Sequence, residues 1–111
     1  MAAFTEIYIE QYSDFSTILN VLDTQGDYLD LSGYSAESQI RQSYYSETYS
    51  SFNVSITDAS TGEITLSLTS ANTANLEAGR QQFDLIITSP ANNITRVIEG
   101  VAIVLPGVTH G

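Results

Sequence analysis

Apolar and polar residues alternate along most of the chain, in short runs bounded by Gly, Asp, Asn, Ser or Pro. Alternation with a period of two is typical of β-strands, because successive side chains point to opposite faces of a sheet. The runs predict strands at residues 4–9, 14–23, 34–42, 51–57, 62–69, 81–88 and 94–105. The chain is therefore expected to be built from strands.

Two neighbouring runs predict a β-hairpin. Each places its apolar residues on one face, and these residues are Phe52, Val54, Ile56, Ile64, Leu66 and Leu68. The intervening segment D-A-S-T-G contains the residues that favour tight turns. We therefore expect an antiparallel pair with one buried and one exposed face.

Glycines indicate three further features. The segment D-L-S-G at residues 30–33 predicts a turn that places Leu31 in the core. Residues 70–77 lack alternation and predict one helical turn, closed by Gly79. Gly100 lies inside the last predicted strand, where glycine often marks a bulge.

The number and spacing of the strands indicate the fold class. About seven short strands, with turns every ten or so residues and no long helix, predict an all-β, immunoglobulin-like β-sandwich with one short helical turn. A small barrel is the alternative. With no Cys and no Trp, such a sandwich is held by packing alone. The length of 111 residues predicts a single domain, residues 1–111.

The charge of the chain argues against several partners. There are 13 acidic residues and 3 arginines, Arg41, Arg80 and Arg96, for a formal net charge of −10. Binding to phosphates requires clustered cations, so we expect neither nucleic acid nor an anionic membrane as a partner. No apolar run reaches the roughly 20 residues of a membrane span, and the first residues do not read as a signal peptide.

The residue types needed for catalysis are absent or poorly placed. The single histidine, His110, lies next to the last residue, and no thiol is present. Asp23, Asp27 and Asp30 lie close together but lack the spacing of a calcium-binding hand, so we interpret them as turn residues, with adventitious calcium as the alternative. No glycine-rich phosphate loop occurs. We expect no enzymatic activity, metal, cofactor or small-molecule substrate.

Two sets of residues are candidates for interactions. Tyr44, Tyr45 and Tyr49 lie in the polar segment S-Y-Y-S-E-T-Y-S and have the side chains that stack on sugars or bury into a protein partner. The simpler interpretation is that they cover the core or an exposed strand edge.

The second set consists of charged residues within predicted strands. Arg41 and Arg96 lie mid-strand in an acid-rich chain. We predict that each pairs with a carboxylate, such as that of Asp84 or Glu99, and so fixes the strand register.

Five segments in order resemble a signature of small tailed-bacteriophage proteins. They are D-x-x-G-D-Y-L-D-L-S-G-Y-S-A-E-S-Q-I-R at 23–41, T-G-E-I-T-L-S-L-T at 61–69, A-N-T-A-N-L-E-A-G-R at 71–80, F-D-L at 83–85 and T-R-V-I-E-G-V-A-I-V at 95–104. Together they are similar to the immunoglobulin-like domains of phage baseplate upper proteins and of short virion structural proteins of contractile-tailed marine cyanophages. The chain departs from that pattern at Gln81 and Gln82, where the family often has an aromatic residue.

The resemblance implies a non-enzymatic virion structural or assembly protein of the tail, baseplate, neck or capsid surface. Its expected partners are other virion proteins and further copies of itself in a homo-oligomer. It would be made in the host cytoplasm and reside in the virion. A carbohydrate-binding or adhesion module is the alternative, and a small enzyme is the least favoured hypothesis.

Overall fold

The computed structural model of the protein describes residues 3–42 and 49–108. Its strands are β1 (Ala3–Glu10), β2 (Phe15–Asn20), β3 (Ser35–Arg41), β4 (Ser50–Ser51), β5 (Asn53–Asp58), β6 (Glu63–Leu68), β7 (Gly79–Thr88) and β8 (Ile94–Leu105). A 3-10 turn at Ala59–Thr61 joins β5 to β6, and a short helix, α1 (Ser70–Ala74), follows β6. No helix in the described part of the chain is long and apolar enough to cross a membrane.

The strands form two sheets that pack face to face. The larger sheet has the order β1-β8-β7-β3-β4, and the smaller has the order β2-β6-β5. β1 runs parallel to β8 along its whole length, and the other neighbours are antiparallel. The predicted all-β, immunoglobulin-like sandwich is confirmed, and the barrel alternative is wrong because the strands divide into two separate sheets.

The core lies between the two sheets and follows the predicted alternation. Ile9, Ile64, Leu66 and Leu85 are completely buried. Phe52 connects the layers, with its ring centroid 6.0 Å from that of Phe15 on β2 and 6.2 Å from that of Phe83 on β7. Such tilted and edge-on aromatic pairs add to the energy of apolar burial.

The predicted hairpin and the predicted Leu31 turn are both present. β5 and β6 pair antiparallel, and Gly62 ends the connecting turn with φ 67°. Leu31 is buried, and its backbone N–H donates to the Ala59 carbonyl at 2.8 Å. Gly33 completes the second turn with φ 80°, a conformation that glycine adopts without steric strain.

The prediction that Gly79 closes the helical turn is wrong. The helix α1 ends at Ala74, where the backbone N–H groups of Asn75 and Leu76 donate to the carbonyls of Asn72 and Thr73, respectively. The chain then continues outside the helix and buries Leu76 before Gly79 begins β7. The helix ends before Gly79 because the chain leaves the helical path to bury Leu76 in the core.

The bulge in β8 does not lie at the predicted glycine. Leu85 of β7 pairs with Ile98, whereas Ile86 pairs with Arg96, so Val97 is the extra residue. A bulge reverses the inside–outside alternation on either side of it. It therefore places Arg96 on the outer face of the sheet.

Gly100 has a different role from the one predicted. It lies opposite Thr5 of β1, and a Cβ atom at this position would be 1.8 Å from the Thr5 carbonyl oxygen. It would also be 3.1 Å from the Phe83 ring. Glycine is required here because the backbone of β1 approaches too closely for any side chain.

Candidate functional site

The outer face of the three-stranded sheet is composed mainly of short polar side chains. Strand alternation places on it Ser16, Ile18, Asn20, Asn53, Ser55, Thr57, Glu63, Thr65 and Ser67. Some of these groups bond to one another, as do the hydroxyls of Thr57 and Thr65 at 3.2 Å. Serine and threonine are under-represented among residues that dominate binding energy, so this face is a poor candidate for a tight protein interface.

The outer face of the five-stranded sheet has a very different composition. Arg41, Arg80 and Arg96, the only arginines of the chain, all lie on it, on β3, β7 and β8. Two exposed aromatic side chains, Phe4 and Tyr8, lie on its β1 edge. Arginine and aromatic residues are enriched at protein–protein interfaces, so this face is the candidate functional site.

An ion pair lies at the centre of this face. The Arg96 Nε is 3.2 Å from Asp84 Oδ2, and the two side chains are 54% and 32% exposed. Glu99 lies directly opposite Asp84 in the register of β7 and β8. Facing carboxylates repel each other, and the adjacent guanidinium offsets this repulsion. A pair this exposed contributes modestly, about 0.2–1 kcal/mol.

At the β3 end of the face, Arg41 packs against Tyr49. The guanidinium carbon is 4.9 Å from the ring centroid, and Nη2 donates to Gln39 Oε1 at 2.9 Å. The predicted carboxylate pairing of Arg41 stays a prediction. Tyr49 is 52% exposed. Tyr44 and Tyr45 lie outside the described residues, so their predicted role in partner binding also stays a prediction.

A polar depression of about 250 Å³ lies beside Tyr49. Its lining includes Arg41, Asn75, Glu77 and Gln81. Small-molecule sites are usually larger, about 300–1,000 Å³, and predominantly apolar. The guanidinium also covers one face of the tyrosine ring, which leaves only the other face for stacking.

At the β1 end, the face carries an apolar patch, which we name the edge stripe: Phe4, Tyr8, Val101, Ile103 and Leu105. Phe4 is 68% and Tyr8 58% exposed. Val101 is buried although it points away from the core, and in the sheet register it lies between Glu6 of β1 and Gln82 of β7. Residues pointing outward from a strand are ordinarily polar, so the stripe is a candidate contact surface.

Acidic residues alternate with the aromatic residues of this edge. Glu6 and Glu10 share the outward side of β1 with Phe4 and Tyr8. The Tyr8 hydroxyl donates to Glu6 Oε1. This hydrogen bond, together with the negative charge of Glu6, raises the pKa of Tyr8 above its ordinary value.

The acids near residue 23 are turn residues, as predicted. Asp23 Oδ1 accepts the backbone N–H groups of Gln25 at 2.8 Å and Asp27 at 3.0 Å. Asp30 Oδ1 accepts the Ser32 hydroxyl and backbone N–H, which lower the pKa of Asp30. Within residues 3–42 and 49–108, no three Asp, Glu, His or Cys side chains are grouped so as to hold a metal ion.

Comparisons with known proteins identify the fold but no family. No family model matches the chain, and no curated protein matches it. Among solved structures, the N-terminal domain of phage TP901-1 ORF48 superposes with a TM-score of 0.60 at 11% identity, over 94% of this chain and 98% of that one. The Lin-41 filamin domain gives a TM-score of 0.47 at 18% identity, over 94% and 84%. This fold therefore occurs in a phage protein.

Proposed function

We propose that the chain is a non-enzymatic structural domain of a phage particle, in the tail, baseplate, neck or capsid surface. It works through contacts with other virion proteins or with further copies of itself. The observation that carries this proposal is the difference between the two outer faces. One face consists mainly of short polar side chains, whereas the other has all three arginines and an exposed aromatic edge.

The composition of the second face matches what protein contacts require. Its aromatic and arginine side chains provide large contact areas and directional charge. The sandwich beneath supports this face, because both sheets bury apolar residues against each other. The fold likeness to a domain of phage TP901-1 ORF48 supports a phage context.

The proposal is tested by mass spectrometry of purified particles of the phage that encodes the chain. We expect the protein at a fixed copy number that remains after density-gradient purification. The isolated protein is expected to show no hydrolase activity. Absence of the protein from purified particles would overturn the proposal.

A carbohydrate-binding or adhesion module is the second candidate. It is favoured by the half-exposed Tyr49 beside the polar depression. A glycan array distinguishes the two candidates. Glycan binding that is lost in Tyr45→Ala and Tyr49→Ala variants would favour the module, whereas no binding across the array would favour the structural role.

A further inference from the structure

Strand β1 forms a long and regular edge of the five-stranded sheet. Its eight residues pair with β8 without a register shift, and in the described part of the chain no strand pairs with its other side. The other edges are shorter: β2 and β5 have six residues each, with an irregularity near the end of β5, and β4 has two. An edge strand presents unpaired backbone N–H and C=O groups to any chain that lies beside it.

The usual protection of such an edge is incomplete in β1. It contains no proline, no lysine and no bulge, and its inward side chains, those of Ala3, Thr5, Ile7 and Ile9, are uncharged. Ile7 and Ile9 are buried, which holds the strand flat against the sandwich. Its charged groups are the outward carboxylates of Glu6 and Glu10. These discourage pairing with an acidic strand and favour a basic one.

We propose that β1 binds an extended, cationic segment of a different protein, which adds to the sheet as a further strand. The general identity of the partner as a virion protein rests on the function proposed above, whereas the binding mode does not. Main-chain hydrogen bonds would supply affinity, and alternate side chains would supply specificity.

The pattern of β1 specifies the chemistry of that segment. Glu6 and Glu10 call for lysine or arginine at two outward positions of the added strand. Opposite Phe4 and Tyr8, which belong to the edge stripe, we expect apolar or aromatic residues at the outward positions that alternate with the basic ones. The segment therefore alternates basic and apolar residues on one side and has neutral residues on the other.

Charge complementarity selects this partner over a second copy of the chain. A second copy would bring a formal charge of −10 and the same two carboxylates to the edge. A cationic segment would instead be attracted over a distance of about one Debye length, about 10 Å at 0.1 M salt.

The test uses the full chain, labelled with ¹⁵N, and a synthetic probe. The probe is the capped peptide Val-Thr-Arg-Ile-Tyr-Val-Lys-Thr, and the control peptide has glutamate in place of its arginine and lysine. We expect amide shift changes and slowed hydrogen exchange confined to Ala3–Glu10 and its β8 neighbours. Binding should be at least about tenfold tighter than that of the control peptide and should weaken as salt rises from about 0.1 M to about 1 M.

Charge reversal provides matched variants. The double variant Glu6→Lys/Glu10→Lys should lose binding to the cationic peptide and gain binding to the acidic one. The control variant Glu37→Lys/Glu63→Lys carries the same change of net charge at sites away from β1 and should bind as the unaltered protein does. Comparison of their melting temperatures and amide spectra separates a change in binding from a failure to fold.

Three results would overturn the proposal. The first is the absence of shifts in β1 with the peptide at about 1 mM, and the second is equal binding of the two peptides. The third is protection of the β1 amides without peptide, together with a mass that rises with concentration in light scattering, which would assign the edge to a second copy. None of these results bears on the presence of the protein in particles, so the two proposals fail separately.

Discussion

Replacing Gly100 with alanine is expected to separate strand β1 from β8. The new Cβ would lie 1.8 Å from the Thr5 carbonyl oxygen and 2.8 Å from its carbon, far inside contact distance. The obstructing atoms are backbone, so a side-chain rotation cannot relieve the overlap. This expectation is opposite in sign to the usual effect, since alanine in place of glycine within a strand ordinarily stabilises by about 0.5–1 kcal/mol.

The expected loss in the free energy of unfolding follows from the apolar side chains that β1 buries. Ile7 is 6% and Ile9 0% exposed. Full burial of such a side chain contributes about 1.5–3 kcal/mol, so loss of both corresponds to about 3–6 kcal/mol. This is a large fraction of the roughly 5–15 kcal/mol by which a folded domain is stable. We therefore expect a strongly destabilised protein in which the β1 amides exchange before the rest.

The assay is urea unfolding monitored by circular dichroism, with hydrogen exchange to locate the opening. Gly26→Ala is the matched control, because nothing lies within 4 Å of a Cβ at that site although its φ is +86°. Its left-handed backbone alone should account for a loss of about 1–2 kcal/mol. If Gly100→Ala destabilises no more than Gly26→Ala does, the close approach of β1 to β8 is refuted.

Three smaller perturbations test other parts of the structure. Arg96→Ala should reduce the free energy of unfolding by about 0.2–1 kcal/mol. Arg80→Ala, which removes no ion pair in the described region, should have less effect. Equal melting temperatures of wild type and Arg96→Ala would count against a role of Arg96 in fixing the register of β7 and β8. The Ser60 hydroxyl donates to Asp58 and lowers its pKa. The stability that ionised Asp58 contributes to the fold is therefore complete above the ordinary Asp pKa of about 3.9 and is lost as pH falls through the lowered value. The acid-side fall in melting temperature should therefore be shallower in Asp58→Asn, and an unchanged slope would contradict this. Gln11→Ala removes side-chain hydrogen bonds of 2.7 Å to the Leu76 carbonyl and 3.2 Å from the Gly107 N–H, and chemical denaturation should show a loss of about 1–3 kcal/mol. Gln11→Glu keeps the acceptor bond but places a carboxylate oxygen against the Leu76 carbonyl oxygen, so it should lose at least as much.

The alternation of apolar and polar residues and the turn residues predict those parts of the fold that depend on neighbouring residues in the sequence. The β5–β6 hairpin followed from alternation on both sides of D-A-S-T-G, and the burial of Leu31 followed from its turn. The bulge at Val97 could not be predicted in this way, because it depends on how β7 and β8 align. The helix end was also missed, since it is set by burial of Leu76 rather than by the nearest glycine.

Less of the candidate site than of the fold could be predicted from the sequence. Charge and mid-strand position predict a carboxylate partner for Arg96, either Asp84 or Glu99, and the structure places Asp84 3.2 Å from Arg96. The edge stripe was missed because β1 has apolar residues on both sides, as in Tyr8 followed by Ile9. Only the parallel pairing with β8, a contact between distant parts of the chain, determines which side faces outward.

Carboxylate footprinting of intact particles tests whether the outer face of the five-stranded sheet is the contact surface. Free protein and purified particles are labelled with a carbodiimide and an amine, and the extent of labelling is compared by mass spectrometry. We predict that Glu6, Glu10 and Glu99, on the outer face of the five-stranded sheet, lose labelling in the particle, while Glu63 on the opposite outer face keeps it. Unchanged labelling of the first three, or protection of Glu63 alone, would contradict the assignment of the five-stranded sheet as the contact surface.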